Sequence, residues 1–186
     1  MASMPPAKTI GSREIKEAIE KMAGAIAEKH HGTEKLGILG LADGGIILSR
    51  RLAAAVSSIL GREIPCGVID ISFHRDDIST KPIPKTSIPT TIPFDIENAT
   101  VILADDVLST GRSLRAAINE IFDQGRPACL QAAALFDRGG RLLPFQADFA
   151  GFVEDVSESR KVYVRLSEDA AKEDEIRIAE ASNDQP

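Results

Sequence analysis

Hydrophobic and polar positions along the chain follow two alternating patterns. Apolar residues recur every three or four positions over residues 12–32, 45–61 and 112–125, which predicts three amphipathic helices. Short apolar runs between and after these helices predict strands at residues 36–41, 67–73, 100–104 and 128–136. Strands that alternate with helices at this spacing predict an α/β fold whose mainly parallel sheet is covered on both faces.

The remaining segments complete a single predicted domain. Two last strands are predicted at residues 146–153 and 161–166, and residues 81–93 contain four prolines without any periodicity. A chain of 186 residues is expected to form one core. We therefore expect one domain over residues 12–166, with a flexible excursion over roughly residues 74–98. We expect residues 167–186 to form an acidic tail that is partly disordered.

Charge and composition exclude some classes of protein. The net charge is −6, but residues 167–186 hold seven acids and two bases of the 28 acids and 22 bases in the chain. The body is thus near neutral, with 21 acids and 20 bases, and a local basic face is not excluded. The two cysteines have no metal-ligand spacing, and no apolar run is long enough for a membrane span. We expect a cytoplasmic protein without membrane contact.

The segment that follows the strand at residues 100–104 carries the candidate chemistry, with the sequence D-D-V-L-S-T-G-R-S over residues 105–113. Ligands of open parallel sheets bind beyond the carboxyl ends of the strands, where the next helix offers unpaired N–H groups and a partial positive charge. Gly111 lets the main chain approach an anion closely, which favours a monophosphate. Asp105 and Asp106 can accept hydrogen bonds from ribose hydroxyls and hold Mg²⁺ through water. Together the two halves predict a site for a ribose 5-phosphate.

Simpler interpretations exist for each half alone. An exposed acidic turn would explain the two aspartates, and an ordinary helix cap would explain the hydroxyl residues. The combined order is far rarer and favours a ligand site. The segment lacks the G-x-x-x-x-G-K-[ST] order of a nucleotide P-loop and the G-x-G-x-x-G order of a dinucleotide fold.

The same segment resembles the signature with which type I phosphoribosyltransferases bind phosphoribosyl pyrophosphate (PRPP). Further stretches resemble the PyrR family: F-H-R-D-D at residues 73–77, D-Q-G-R-P-A at 123–128 and L-F-D-R-G-G-R-L-L-P at 135–144. The resemblance covers roughly residues 12–166. It implies the type I phosphoribosyltransferase fold, a twisted and mainly parallel sheet flanked by helices, with a flexible hood. It also implies uracil phosphoribosyltransferase activity together with control of pyrimidine genes through messenger RNA.

By this resemblance, each group of candidate residues has a role. Asp105 and Asp106 would be the catalytic carboxylates, which hold the ribose hydroxyls and the Mg²⁺ that is bound with PRPP. The 5-phosphate would be bound by Leu108, Ser109, Thr110, Gly111, Arg112 and Ser113. The pyrophosphate would meet Ala42, Asp43, Gly44, Gly45 and, from the hood, Arg75. Uracil would be bordered by Asp137 and Arg138.

The turn at residues 42–45 is the main departure from the family pattern, which commonly has Arg or Lys followed by Thr. The glycines can still bring N–H groups to the ligand, but the cationic side chain is absent. Asp43 should repel pyrophosphate unless Mg²⁺ lies between them. A second interpretation is therefore a regulator that binds PRPP or a nucleotide and has weakened catalysis.

The resemblance also implies partners beyond PRPP, uracil and UMP. A pyrimidine-operon mRNA would need a basic surface, to which Arg138 and Arg141 would contribute. Gly140, Gln146 and Phe152 stand at positions that are often His or basic in the family. We expect a homo-oligomer, a dimer or larger. Hypoxanthine or orotate is an alternative base, because relatives that use them share the PRPP segment.

Overall fold

A computed structural model describes residues 8–42, 44–71, 88–168 and 173–180 of the chain. Within these ranges the chain forms three helices, α1 (Ser12–Lys29), α2 (Gly45–Leu60) and α3 (Arg112–Gln124). It also forms eight strands, β1 (Lys8–Gly11), β2 (Leu36–Leu41), β3 (Cys66–Ile69), β4 (Thr100–Leu108), β5 (Cys129–Asp137), β6 (Phe149–Val153), β7 (Arg160–Arg165) and β8 (Glu175–Glu180). All three helices predicted from the apolar spacing are confirmed.

The larger sheet has five strands in the order β3-β2-β4-β5-β6, and every neighbouring pair is parallel. The chain passes from β2 through α2 to β3 on one side, whereas it passes from β4 through α3 to β5 on the other. The order of strands therefore reverses between β2 and β4. In open parallel sheets, ligands bind at such a crevice, beyond the carboxyl ends of the strands. The predicted α/β class with a mainly parallel sheet is confirmed.

Two apolar cores cover the two faces of this sheet. One core joins α1 and α2 to Ile38 of β2 and Ile102 of β4. The other joins α3 to Leu39 and Leu103, the next residues of the same strands. Successive side chains of a strand point to opposite faces, so burial on both faces explains the continuous apolar runs of β2 and β4. Among the helices described, none has the length and apolar character needed to cross a membrane.

A second, antiparallel sheet has the order β1-β8-β7. Ile176 and Ile178 of β8 are fully buried and belong to the core that contains α1 and α2. β1 and β8 thus lie beyond the expected domain of residues 12–166, and β8 lies within residues 167–186, which were expected to form an acidic, partly disordered tail. Charged residues lie between and beside the two isoleucines and lower the apolar content of the segment, although the alternation of apolar and polar positions is itself typical of a strand.

β4 extends four residues beyond its predicted end at residue 104, so that Asp105 and Asp106 belong to the strand rather than to a turn. The ladder with β5 continues through these residues, pairing Asp105 with Ala134 and Leu108 with Asp137. Pairing with a neighbouring strand overrides the low strand propensity of aspartate. Other strand ends differ by a few residues from those predicted: β3 ends at Ile69, and β6 begins at Phe149.

Residues 88–98, which the sequence analysis assigned to the flexible hood, are packed on the larger sheet. The N–H of Thr91 donates to the carbonyl of Val68 at 2.8 Å, and the N–H of Val68 donates back at 2.9 Å. Phe94 lies so close to Gly37 that a Cβ atom there would be 2.2 Å from its ring. This part of the expected hood thus contacts the sheet, and residues 74–87 lie outside the described residues.

Candidate active site

The glycine turn after β2 lies against the acidic pair at the end of β4. A Cβ atom on Gly44 would lie 2.4 Å from the carboxyl carbon of Asp106, and one on Gly45 would lie 2.0 Å from the carbonyl oxygen of Ala104. Side-chain atoms do not fit at such distances, so these close approaches require glycine. The structure therefore brings together two segments that the sequence analysis assigned to one site.

Asp105, which is buried, and Asp106, which is half-buried, form a carboxylate pair at this crevice. Asp105 is only 9% exposed, and the N–H of Asp106 donates to its Oδ1 at 3.1 Å. Burial, followed by the charge of Asp106, raises the pKa of Asp105 from 3.8 to about 8. Burial also raises the pKa of Asp106. The pair therefore holds a proton near neutral pH until a cation or a donor group faces it.

Residues 109–113, here named the phosphate loop, connect this pair to α3. Gly111 has φ 88° and is the N-cap of α3, a left-handed conformation that side chains other than glycine rarely adopt. The first turn of α3 contains no acidic residue. The N–H groups of this helix start, which have no acceptor within the helix, and its partial positive charge thus favour an anion. Ser109, Thr110 and Ser113 are partly exposed, and Thr110 Oγ1 accepts a hydrogen bond from the N–H of Arg112 at 3.4 Å.

Arg141 was not among the predicted active-site residues, yet it joins the phosphate loop to the end of β5. Its guanidinium donates to the carbonyl oxygens of Ser109 at 2.5 Å and Gly139 at 3.2 Å, and through Nε to that of Phe145 at 2.7 Å. It also pairs with the carboxylate of Asp137 at 2.5 Å. The four-residue spacing of Asp137 and Arg141 is the signal in the sequence that could have indicated this ion pair.

The side chains of Asp137 and Arg138, which were predicted to border uracil, are hydrogen-bonded within the chain. Asp137 accepts the N–H of Gly139 at 3.0 Å on Oδ1 and pairs with Arg141 through Oδ2. The guanidinium of Arg138 donates to three carbonyl oxygens, those of Val156 at 3.2 Å, Ser157 at 3.0 Å and Arg160 at 2.9 Å. Both residues lie at the end of β5, next to the site, but their polar side-chain groups already have partners there.

The pyrophosphate side of the site is described in part. Ala42, Gly44 and Gly45 lie between β2 and the start of α2, at the crevice. Asp43 and Arg75, which were also assigned to this side, lie outside the described residues.

The carboxylate pair fits Mg²⁺ by its chemistry. Two adjacent carboxylates are hard oxygen ligands, and a divalent cation would displace the proton that burial keeps on the pair. In the ranges that the structure covers, no three His, Cys, Asp or Glu side chains are grouped to hold a metal ion. A cation bound here would therefore need further oxygen ligands from phosphate groups or water.

A pocket of about 870 Å³ lies elsewhere, between α1, α2 and the segment after β7. Glu168 and Glu173 line this pocket on either side of residues 169–172, which are outside the described residues. Its shape therefore does not define a ligand site.

Comparison with known sequences finds a matching family and several similar proteins. The family described as phosphoribosyl transferase domain matches residues 9–166. The chain is 43% identical over 159 residues to the bifunctional protein PyrR of Geobacter sp. (strain M21), which covers 83% of this chain and 88% of the relative. It is 40% identical to the bifunctional protein PyrR of Chloroflexus aurantiacus, over 94% of this chain and 96% of the relative.

Comparison with solved structures concerns the fold. A hypoxanthine-guanine phosphoribosyltransferase from Bacillus anthracis superposes with a TM-score of 0.62 at 17% sequence identity, covering 81% of this chain and 85% of that chain. The architecture described above is thus the type I phosphoribosyltransferase fold.

Proposed function

Because the chain belongs to the phosphoribosyltransferase family, and within it to the PyrR proteins, we propose that it transfers the phosphoribosyl group of PRPP to uracil. N1 of uracil attacks C1′ of PRPP, the bond from C1′ to pyrophosphate breaks, and the N1 proton is released as UMP forms. The observation that carries this proposal is the continuity of buried Asp105 and half-buried Asp106 with the helix start at Gly111.

The phosphate loop would bind the 5-phosphate. The main-chain N–H groups at the start of α3 and the hydroxyls of Ser109, Thr110 and Ser113 are donors, and a phosphate needs several donors at once. Leu108 would contribute through its position only, because it is buried and its carbonyl oxygen accepts the N–H of Arg138 at 3.0 Å. Arg112 is exposed beside the loop and would add positive charge near the phosphate.

The carboxylate pair would bind the ribose. In its ionised form, it accepts hydrogen bonds from the two ribose hydroxyls and places negative charge near C1′, where positive charge develops as pyrophosphate leaves. Mg²⁺ bound with PRPP would neutralise the leaving pyrophosphate. Because the pKa of Asp105 is raised to about 8, binding of the Mg²⁺ complex should displace the proton that the free site holds.

Uracil would lie at the end of β5, bordered by Asp137 and Arg138. Their side-chain polar groups already have partners, so main-chain N–H and C=O groups would recognise the base. Hydrogen bonding by main-chain groups can discriminate uracil from hypoxanthine by its donor pattern, and the Asp137 carboxylate beside the base would disfavour the additional carboxylate of orotate. A panel of uracil, orotate and hypoxanthine in one assay tests this choice, and we expect turnover with uracil only.

The test of the proposed reaction is pyrophosphate release from uracil, PRPP and Mg²⁺. We expect turnover by the wild-type chain and a loss of about a hundredfold or more in Asp105→Asn, which removes charge stabilisation of the transition state. Glu180→Gln, an exposed change at the end of β8, is the control and should retain wild-type activity. No pyrophosphate release by the wild type would contradict the proposal.

A second candidate function is a regulator that binds a nucleotide and has weak catalysis. It is favoured by the turn after β2, where Ala42 and Gly44 provide no cation and Gly44 packs against the carboxyl of Asp106. Asp43→Thr removes one negative charge from this turn. If this variant raises turnover while its affinity for UMP, measured by calorimetry, stays the same, the native turn weakens the interaction with pyrophosphate. Wild-type turnover at the rate of an efficient transferase would exclude this candidate.

Pyrimidine-operon mRNA is the further partner that membership of the PyrR family suggests. The charge of Arg141 is balanced by Asp137, and the guanidinium of Arg138 already donates to carbonyl oxygens, so the two offer less net charge and fewer donors to RNA phosphates than the sequence suggested. Gel shifts with a pyrimidine-leader RNA test this activity. Binding that exceeds that of an unrelated RNA and increases with UMP would support it, and equal binding of both RNAs would exclude it.

A further inference from the structure

Two loops meet beside the candidate site, and one arginine contacts both. The phosphate loop follows β4, and residues 138–145, here named the base-side loop, follow β5. The N–H groups of Leu142 and Leu143 both donate to the carbonyl of Thr110, at 3.1 and 3.0 Å. A Cβ atom on Gly111 would lie 3.1 Å from the ring of Phe145. The base-side loop is therefore folded over the phosphate loop.

Arg141 is the side chain that holds this contact together. Its planar guanidinium reaches acceptors from three parts of the chain: Ser109 in the phosphate loop, Asp137 at the end of β5, and Phe145 at the far end of the base-side loop. Its side chain is 22% exposed and that of Asp137 is 15% exposed, so solvent competes little with the pair. A lysine could not reproduce this fork of donors.

We infer that Arg141 is a positioning residue that fixes the distance between the phosphate end and the base end of a nucleotide site. The inference rests on the proposed function for the identity of the nucleotide. A ligand that spans two subsites gains the second contact at little entropic cost only when the subsites are held at the correct separation. Without Arg141, the base-side loop would sample several positions relative to the phosphate loop. The protein would then bind the whole nucleotide with a smaller gain in affinity over the phosphate half alone.

The test compares UMP with ribose 5-phosphate, which uses the phosphate loop and lacks the base. In Arg141→Gln, calorimetry should show UMP binding at least about tenfold weaker, whereas ribose 5-phosphate binding changes by no more than about threefold. The ratio of the two affinities separates positioning from a general loss of stability, which would weaken both ligands alike. An equal loss for both ligands, or no loss for either, would overturn the inference.

Arg51→Gln is the matched control. The guanidinium of Arg51 is 29% exposed and also combines one carboxylate, that of Asp174, with one carbonyl, that of Ser167. It contacts neither loop through these bonds, so we expect a comparable loss of stability with an unchanged ratio of UMP to ribose 5-phosphate affinity. If Arg141→Gln does not fold, Arg141→Lys keeps a cation beside Asp137 while losing the fork, and should show the same selective loss of UMP binding.

Amide hydrogen exchange of the ligand-free protein tests the same inference without a nucleotide. In Arg141→Gln, the amides of Leu142 and Leu143 should exchange at least about tenfold faster than in the wild type, and in Arg51→Gln they should not. Unchanged exchange in Arg141→Gln would overturn the inference. If the wild type bound no UMP, the proposed function would fail, and the exchange rates would still decide the role of Arg141.

Discussion

The burial of Asp105 sets the charge of the site before any ligand is bound. Two adjacent aspartates in the sequence indicated a ribose-binding pair, but the sequence did not indicate how deeply they lie. Because β4 continues through both residues, Asp105 is buried in the sheet, and its pKa is raised to about 8. The close approach of Gly44 to Asp106 also depends on contacts between distant segments. Residue types were therefore predictable here, whereas their electrostatic state required the fold.

The raised pKa predicts how stability depends on pH in metal-free protein. The folded state holds the Asp105 proton up to about pH 8, whereas the unfolded chain releases it near the ordinary value of 3.8. Stability from this group is therefore fully present below about pH 4, falls as the pH rises, and is lost by about pH 8. Asp105→Asn should flatten this slope and be more stable than the wild type at pH 8, as measured by urea unfolding in EDTA.

The control for that experiment is Asp95→Asn. Asp95 is fully exposed, and the N–H of Glu97 together with Lys35 lowers its pKa, so this variant should keep the wild-type slope between pH 5 and 8. If Asp105→Asn and the wild type showed parallel pH profiles, Asp105 would be ionised in the folded protein throughout that range.

The close packing of the glycine turn predicts that an added side chain destabilises the fold, an effect that can be measured separately from catalysis. A Cβ atom on Gly45 would lie 2.0 Å from the Ala104 carbonyl oxygen, so Gly45→Ala should destabilise the fold by about 1 to 3 kcal/mol. Gly24 lies within α1 with no heavy atom within 4 Å of such a Cβ, so Gly24→Ala should stabilise by about 0.5 to 1 kcal/mol. Chemical unfolding of both variants measures the difference, and equal effects would contradict the packing described.

Periodic elements were predicted more successfully than those held by long-range pairing. α1, α2 and α3 follow directly from apolar residues at helical spacing. β8 was missed because Glu175–Glu180 is a short, charged segment and one of its two partners, β1, is distant from it in the sequence. The prolines of residues 88–98 gave no indication in the sequence that Thr91 and Phe94 pack against the sheet.

The burial of β8 predicts that residues 175–180 contribute to the stability of the fold. Ile178 is fully buried, so Ile178→Ala should cost about 2 to 5 kcal/mol of unfolding free energy. Arg177→Ala changes an exposed neighbour whose main contact is with the ring of Tyr163, at 5.3 Å, and should cost about 1 kcal/mol or less. Thermal or urea unfolding compares them. A small effect of Ile178→Ala would mean that residues 175–180 do not contribute to the core.

The two sheets and three helices share cores that place the described parts of the candidate site at one crevice. Ile176 and Ile178 of the small sheet pack in the same core as α1 and α2, and α2 begins at the glycine turn that touches Asp106. β4, at the centre of the larger sheet, carries the acidic pair and leads into the phosphate loop. The type I phosphoribosyltransferase fold thus brings the proposed ribose, phosphate and base subsites together on three successive segments of the chain.

The measurement that tests this account most directly is calorimetric titration of PRPP with Mg²⁺ into the wild-type chain and into the double variant Thr110→Val, Ser113→Ala. The variant removes two hydroxyl donors of the phosphate loop, and hydrogen bonds to a charged group contribute about 1.5 to 3 kcal/mol each. We predict saturable binding by the wild type and binding at least about a hundredfold weaker by the variant, while Gly24→Ala binds as the wild type does. Absence of binding by the wild type, or equal binding by the double variant, would contradict a PRPP site in the phosphate loop.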